Sequence, residues 1–255
     1  MTVLHAPLRK GAANTARGIL RFCDELIARL RRAGANGELT LRMDSGFWSA
    51  KLIKRLRRHR VRYSITVRQT KTVRAAIAAI PERAWIEIPY VPDGVAEVAE
   101  TSYRGDRLII RRVRNEGDQA QLFATWRYHA FVTDRIGTTL ALGADHRRHA
   151  VCEQAHYLKA GAGLAHLPSG RFAANSAWLL AATLAHNLIR WTATLGLGVG
   201  DQQTVAKTLR RTLLALPGRL THSARRWTLH LPAGWPWAHS FTMALARLRC
   251  IPHPT

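Results

Sequence analysis

Acidic residues are scarce in this chain. Sixteen Asp and Glu stand against 39 Lys and Arg in 255 residues, a formal charge of +23. A surface so one-sided repels itself unless a polyanion covers it, so DNA or RNA is the expected partner. Long apolar runs are also missing: none approaches the ~20 residues that a membrane-spanning helix needs. The start, Met1-Thr-Val-Leu-His-Ala-Pro-Leu-Arg-Lys, has no apolar core of a signal peptide. Cysteine is limited to Cys23, Cys152 and Cys250, with no Cys-x-x-Cys pair. That excludes a disulfide framework and a zinc knuckle, and fits free thiols in a reducing cytosol. Internal repeats and low-complexity tracts are absent.

What is present is a 47% apolar content, enough for a large core. Residues 3–8 read as a short strand, and residues 10–14 as a turn. Ile19, Phe22, Cys23, Leu26, Ile27 and Leu30 recur with helical spacing, ending near Gly34. Leu39, Leu41 and Met43 alternate with Thr40, Arg42 and Asp44, so a strand delivers Asp44 into the Ser45-Gly46 turn in polar phase. A second helix follows through Trp48, Leu52, Ile53 and Leu56, then a strand through Val61, Tyr63, Ile65 and Val67. Strand, helix, strand, helix, strand predicts an α/β fold with a mostly parallel sheet. Residues 71–135 read as a β-rich insertion of short strands. A helix carrying Glu153 comes next, then residues 172–195, apolar nearly all round and so expected to be buried. A helix over 204–216, a hairpin through Ser223-Ala-Arg-Arg and a last helix over 237–249 complete the chain. The predicted domains are 1–198 and 199–255.

Two acids are candidates for chemistry. Asp44 lies just past the carboxyl end of a strand, where α/β proteins place their sites; its ordinary alternative is a helix cap or turn-forming Asp. Glu153 shares a helix side with His146, His149 and His156, opposite Val151, Ala155 and Leu158; the ordinary alternative is a solvated face. A zinc site from His149, Glu153 and His156 has no motif support. Lys51, Lys54, Arg55, Arg57 and Arg58 form one basic helix face, expected to contact about five phosphates. The eight Trp residues fall mostly in apolar phase and read as core.

Leu8-Arg-Lys-Gly-Ala-Ala-Asn-Thr-Ala-Arg, Leu41-Arg-Met-Asp-Ser-Gly-Phe and Leu167-Pro-Ser-Gly-Arg-Phe-Ala-Ala-Asn-Ser-Ala-Trp together resemble bacterial insertion-sequence transposases of the DDE type. Thr208-Leu-Arg and Leu231-Pro-Ala-Gly-Trp-Pro-Trp extend the resemblance over nearly the whole chain. It implies an RNase H-like core with a β-rich insertion and a helical C-terminal tail. It also implies two Mg2+ or Mn2+ ions, held by three carboxylates, at a phosphodiester of transposon-end or target DNA. Asp44 matches the family's second acid and Glu153 its third; both are the expected catalytic and metal-holding residues. His146, His149 and Lys159 stand where a Tyr-x2-Arg-x3-Glu-x6-Lys signature contacts DNA, with Lys159 one residue early. No residue in 1–34 matches the first aspartate, so the resemblance is to the C-terminal portion of a transposase, N-terminally truncated and catalytically incomplete as it stands. The implied setting is the bacterial cytoplasm at the nucleoid, with a homodimer compatible and no membrane. A basic non-catalytic DNA-binding protein and a two-metal nuclease are the competing readings.

Overall fold

A computed structural model describes the chain except residues 1, 10, 12–15, 90–93, 116–125, 149–163, 199–205, 233 and 253–255. The chain forms two compact units, Lys10–His149 and a unit joining Met1–Arg9 to Ala150–Thr255.

In the first unit, the sequence periodicity is realised closely. The helix α1 (Ile19–Arg32) buries Ile19, Cys23 and Ile27, the seam set by its helical spacing. Strand β1 (Leu39–Met43) leads through a turn of 3-10 helix (Ser45–Phe47) into α2 (Ala50–Arg58), which buries Leu52, Ile53 and Leu56. Strand β2 (Val61–Thr66) returns parallel to β1, with Leu39 opposite Val61 and Met43 opposite Ile65. Residues 71–135 then give α3 (Lys71–Ala78), β3 (Ile86–Glu87), β4 (Gly94–Tyr103), β5 (Asp106–Asn115) and β6 (Arg127–Thr133). The last element is α4 (Thr139–Arg147).

The sheet has six strands in the order β1-β2-β6-β5-β4-β3. Only β1 and β2 are parallel; every other junction is antiparallel. The expected mostly parallel sheet is therefore corrected. The predicted insertion shares the sheet of the α/β part, because β6 pairs with β2 through Ser64–Thr133 to Thr66–Phe131. Its β4–β5 hairpin closes at Arg104-Gly105 with φ of 54° and 81°, and a turn this tight can join only antiparallel strands. Both faces of the sheet are covered. Tyr63, Ile65, Leu108, Ile110 and Val132 face α1, α2 and α3, while Val98, Ile109 and Phe131 face Leu142 of α4. The run Leu108-Ile109-Ile110 is buried on both sides, as its unbroken apolar character requires.

The second unit corrects two further expectations. Residues 3–8 form no strand. The Asn187 side chain takes both backbone groups of Val3 instead, accepting from its N–H at 2.8 Å and donating to its carbonyl at 2.7 Å. A side chain on a helix thus does what a neighbouring strand would do. Asn187 lies on α5 (Phe172–Trp191), the helix expected to be buried all round. Its buried residues are Asn175, Thr183, Asn187 and Arg190, while Leu180 is 70% exposed and Leu184 and Leu188 about half. The polar stripe packs because it can satisfy extended main chain: Asn175 likewise bonds both the N–H and the carbonyl of Ser169. Beyond Trp191 the turns widen to a π-helix over Thr192–Leu197. A small cluster of Ala193, Leu209 and Leu213 joins these turns to α6 (Ala206–Leu209), with Phe241 of α7 (Ala238–Arg249) against it. Gly196 permits close approach there, since a Cβ would meet that of Ala244 at 3.2 Å. The predicted hairpin is β7 (Arg219–Ser223) and β8 (Arg226–His230), turning at Ala224-Arg225 with φ of 48° and 62°.

The antiparallel half of the sheet is pinned by one guanidinium. Arg112, with a side chain 6% exposed, donates to Glu97 and to both oxygens of Glu82, at 2.9 and 2.5 Å. It lies 4.2 Å from the Trp85 ring centroid and 4.3 Å from that of Trp126. Removing it strands the partly buried Glu97 and unsupports two indoles. Arg112→Ala is expected to cost about 3–5 kcal/mol in urea denaturation. Arg112→Lys should recover only a minor part, because an ammonium cannot serve both carboxylates and lie flat between two rings. A lysine variant within about 1 kcal/mol of the parent would refute this account.

Candidate catalytic carboxylate and its surroundings

Asp44 follows the last residue of β1 with φ −79° and ψ 166°. The backbone is still extended there, so the strand's alternation runs one residue further. Met43 points into the core, while Asp44 shares the phase of Arg42. The turn that follows is closed by main chain alone, the Phe47 N–H donating to the Asp44 carbonyl at 3.0 Å. The Asp44 side chain makes no cap bond. Helix α2 draws its cap from Ser49, whose hydroxyl accepts from the Leu52 N–H at 3.2 Å. The ordinary turn and capping roles of an Asp are thus filled without its carboxylate.

That carboxylate is exposed, with no hydrogen bond or ion pair among the described residues. Its isolation is unusual here. Asp24, Glu25, Glu38, Glu82, Glu97, Glu100, Asp106, Asp134 and Asp145 each hold an arginine. Of the described acids, Asp44 and the edge-strand Glu87 stand apart. Beside Asp44, at the carboxyl ends of β1 and β2, a hollow of about 280 Å³ is lined by Ser45, Gly46, Trp48, Val67, Arg68 and Tyr103 among others. Among the described residues strand β1 is at the border of the sheet, bonded to β2 alone.

His146 closes the same face. It ends α4 against β2, stacked flat on Phe131 with centroids 3.9 Å apart. Its Nδ1 lies 2.6 Å from the Ser64 hydroxyl, and Nε2 lies 3.1 Å from that of Thr66. Arg42 Nε donates to Nδ1 at 3.4 Å. Arginine can only donate, so Nδ1 accepts and the proton sits on Nε2, directed at Thr66. Burial, and then the positive charge of Arg42, push the ring's pKa from 6.5 down to about 3. The expected phosphate contact is therefore replaced by an internal rivet: the ring is neutral and both nitrogens are engaged. Glu153, His149 and Lys159 lie outside the described residues.

The basic face of α2 divides. Lys51, Lys54 and Arg58 are exposed and have no carboxylate partner among the described residues. Arg55 lies 3.8 Å from Asp24, which also bonds His59 at 2.9 Å. Arg57 donates to the buried Asp106 and, at 3.0 Å, to the hydroxyl of the fully buried Tyr63. Burial and Asp106 push the Tyr63 hydroxyl well above the usual phenol range. Two of the five expected phosphate contacts thus have structural work.

Trp48, Tyr103 and Arg104 escaped the sequence reading. The two rings are 6.0 Å apart and tilted by 44°. The Arg104 guanidinium lies 5.5 Å from the Trp48 centroid and 5.6 Å from that of Tyr103. Arg104 gave a signal in sequence, as the first residue of an Arg-Gly-Asp turn. Trp48 gave none, because apolar phase made it look like core.

Residues 1–253 match the family model described as transposase DDE domain group 1. No individually curated protein matches the chain. None of the described helices is long and apolar enough to cross a membrane.

The neutral His146 makes a pH prediction. Its folded pKa is depressed, so its contribution to stability is complete above about 6.5 and is lost as pH falls from there toward about 3. Well inside that window the loss is ~1.4 kcal/mol per pH unit. Urea denaturation at pH 7 and pH 5 should show His146→Asn losing about 2 kcal/mol less than the parent. Equal losses in the two proteins would show that the ring is not held neutral.

Proposed function

The chain belongs to the DDE transposases, whose function is DNA transposition, and on that premise we propose that Asp44 is a metal-holding carboxylate of its catalytic site. The observation that carries this is the Asp44 side chain, without a partner among the described residues, at the carboxyl edge of a parallel strand pair in a chain of charge +23. An exposed oxygen ligand committed to no arginine suits a hard divalent cation such as Mg2+ or Mn2+. Among the described residues no group of three or more His, Cys, Asp or Glu is placed to hold a metal ion.

Glu153 is proposed as the partner acid, from the resemblance of its segment. In the RNase H-like arrangement that the resemblance implies, a further acid-bearing strand neighbours β1, the border strand of the sheet among the described residues. A bound divalent ion would supply polarisation of the phosphoryl oxygen and activation of an attacking hydroxyl.

What the chain's own residues do is positional. Asp44 is fixed by a backbone turn that leaves its oxygens free. Lys51, Lys54 and Arg58 offer charge to the phosphates flanking the reacting one. Arg57 and Arg55 hold α2 onto β2, the β4–β5 turn and α1, so that this face keeps its orientation.

Asp44→Asn should weaken Mn2+ binding, read from paramagnetic relaxation of water, with the melting temperature of the metal-free chain unchanged, because no contact among the described residues is lost. Mn2+ affinity that survives the substitution would remove Asp44 from the site.

Duplex binding by three free cations of α2 should be salt-dependent with a log–log slope near −2.7. Replacing Lys51, Lys54 and Arg58 with Gln should flatten that dependence. A parent slope near zero would show that this face does not touch the backbone.

A further inference from the structure

A further candidate surface lies in the other unit, on the β7–β8 hairpin. Nine of its ten strand residues are exposed, and the tenth, Thr221, is half-buried. Strand alternation divides the ribbon into two faces. The register pairs Arg219 with His230, Thr221 with Thr228 and Ser223 with Arg226, so one face is wholly polar. The other face pairs Leu220 with Leu229 and His222 with Trp227, whose rings lie 4.4 Å apart. Cross-strand pairs of that kind stiffen a ribbon that would be marginal alone. They leave the polar face uncovered.

Charge decides what that face can meet. Residues 202–255 hold eight Lys and Arg and no Asp or Glu. In the first unit acids fix arginines in place; this stretch has none to offer. Arg219 and Arg226 make no hydrogen bond or ion pair among the described residues. The turn adds a third cation. Ala224 and Arg225 both hold left-handed backbones, φ 48° and 62°, where Asn-Gly would sit without strain. An arginine kept in that conformation at an exposed tip marks a side chain needed there. A second copy of so basic a chain would meet this surface with like charge, whereas a polyanion meets it with opposite charge.

The dimensions fit a duplex groove. Strands ~4.8 Å apart make a ribbon that a major groove ~12 Å wide admits. Five residues per strand, at ~3.4 Å each, extend ~17 Å, or about five base-pair steps. Successive side chains on the polar face of one strand stand ~7 Å apart, about two base pairs. Arginine takes guanine by two hydrogen bonds, and threonine meets a thymine methyl.

We propose that the β7–β8 hairpin lies in the major groove of duplex DNA with its polar face to the base edges. Arg219 and Arg226 read sequence there, and Arg225 holds the phosphate backbone beyond the turn. The proposal rests on the reading that the chain acts on DNA, and adds an element that selects which DNA.

The test selects duplexes from a pool with a randomised centre, using the whole chain without divalent metal. The parent should enrich a motif containing guanine. Arg226→Gln should relax one position of that motif and lower affinity for the selected duplex about tenfold or more, with a far smaller loss on an unrelated duplex. A misfolded ribbon would relax every position together, so a loss confined to one position separates contact from folding. Ala224→Asn combined with Arg225→Gly relieves the turn, yet should weaken binding to all duplexes alike and flatten the log–log salt slope by ~0.9. Salt-dependent binding with no enriched motif overturns the proposal, as does a motif that survives Arg219→Gln combined with Arg226→Gln. Either result leaves the α2 face in place. A dimer of the DNA-free chain that Trp227→Ser dissociates would assign the ribbon to a second copy and also overturn it. Mn2+ binding at Asp44 is read without DNA, so that role stands or fails separately. Absence of any DNA binding overturns this proposal and the α2 reading together.

Discussion

Much of the candidate site depends on one buried carboxylate. Asp106, whose side chain is 6% exposed, accepts from Tyr63 and from Arg57 at the base of the β4–β5 turn. It joins three segments far apart in sequence: the last turn of α2, the middle of β2 and the hairpin tip. Arg57 is about half exposed, so its attraction alone is screened and modest. The strength lies in the other direction. A buried carboxylate stripped of donors costs several kcal/mol, against a total stability of ~5–15 kcal/mol. The hairpin therefore cannot slide along β2 without exposing or orphaning Asp106. That constraint sets Tyr103 and Arg104, three and two residues before Asp106, beside Trp48 just ahead of α2.

The same economy governs the rest of the unit. With few acids, almost every described one is spent on a particular arginine and fixes a particular junction. Asp24 joins α1 to α2, Asp134 joins the end of β6 to the start of β2 through Arg62 and the Tyr63 N–H, and Glu100 ties β4 to Arg107 and Thr139. The excess of arginine is thus not all a solvated surface; a share of it is scaffold. Electrostatic footprints counted from sequence are reduced by that share, as Arg55 and Arg57 show on α2.

Local pattern was legible and long-range pairing was not. The alternation of Leu39, Leu41 and Met43, and of Val61, Tyr63 and Ile65, located β1 and β2, because one covered face forces a period of two. The position of Asp44 at a strand end followed from the same alternation. The antiparallel joining of β6 to β2 could not be read, because register between strands some seventy residues apart leaves no local trace. Residues 3–8 carried strand-like composition, yet the hydrogen bonds of Val3 went to Asn187, over 180 residues away in the chain. In α5 the apolar content suggested burial all round, whereas the stripe that packs is the one bearing Asn175 and Asn187. His146 was read as a surface contact because neither the Phe131 ring nor the Ser64 and Thr66 hydroxyls lie near it in sequence. Glu153, His149 and Lys159 fall outside the described residues.

Why Asp44 stays free in so basic a chain has a local answer. Its nearest cation along the same strand face is Arg42, two residues back and ~7 Å away, within easy reach of a carboxylate. Arg42 donates instead to Nδ1 of His146, a ring kept neutral by burial and by the charge of Arg42 itself and held in place by Ser64, Thr66 and Phe131. A protonated imidazole would repel the guanidinium and offer it no lone pair. The neutral ring thus does two jobs, fastening α4 to the sheet and accepting from Arg42. A carboxylate already paired with Arg42 would have to surrender that pair before binding a divalent ion. With Arg42 bonded to His146, the exposed Asp44 carboxylate has no arginine partner among the described residues.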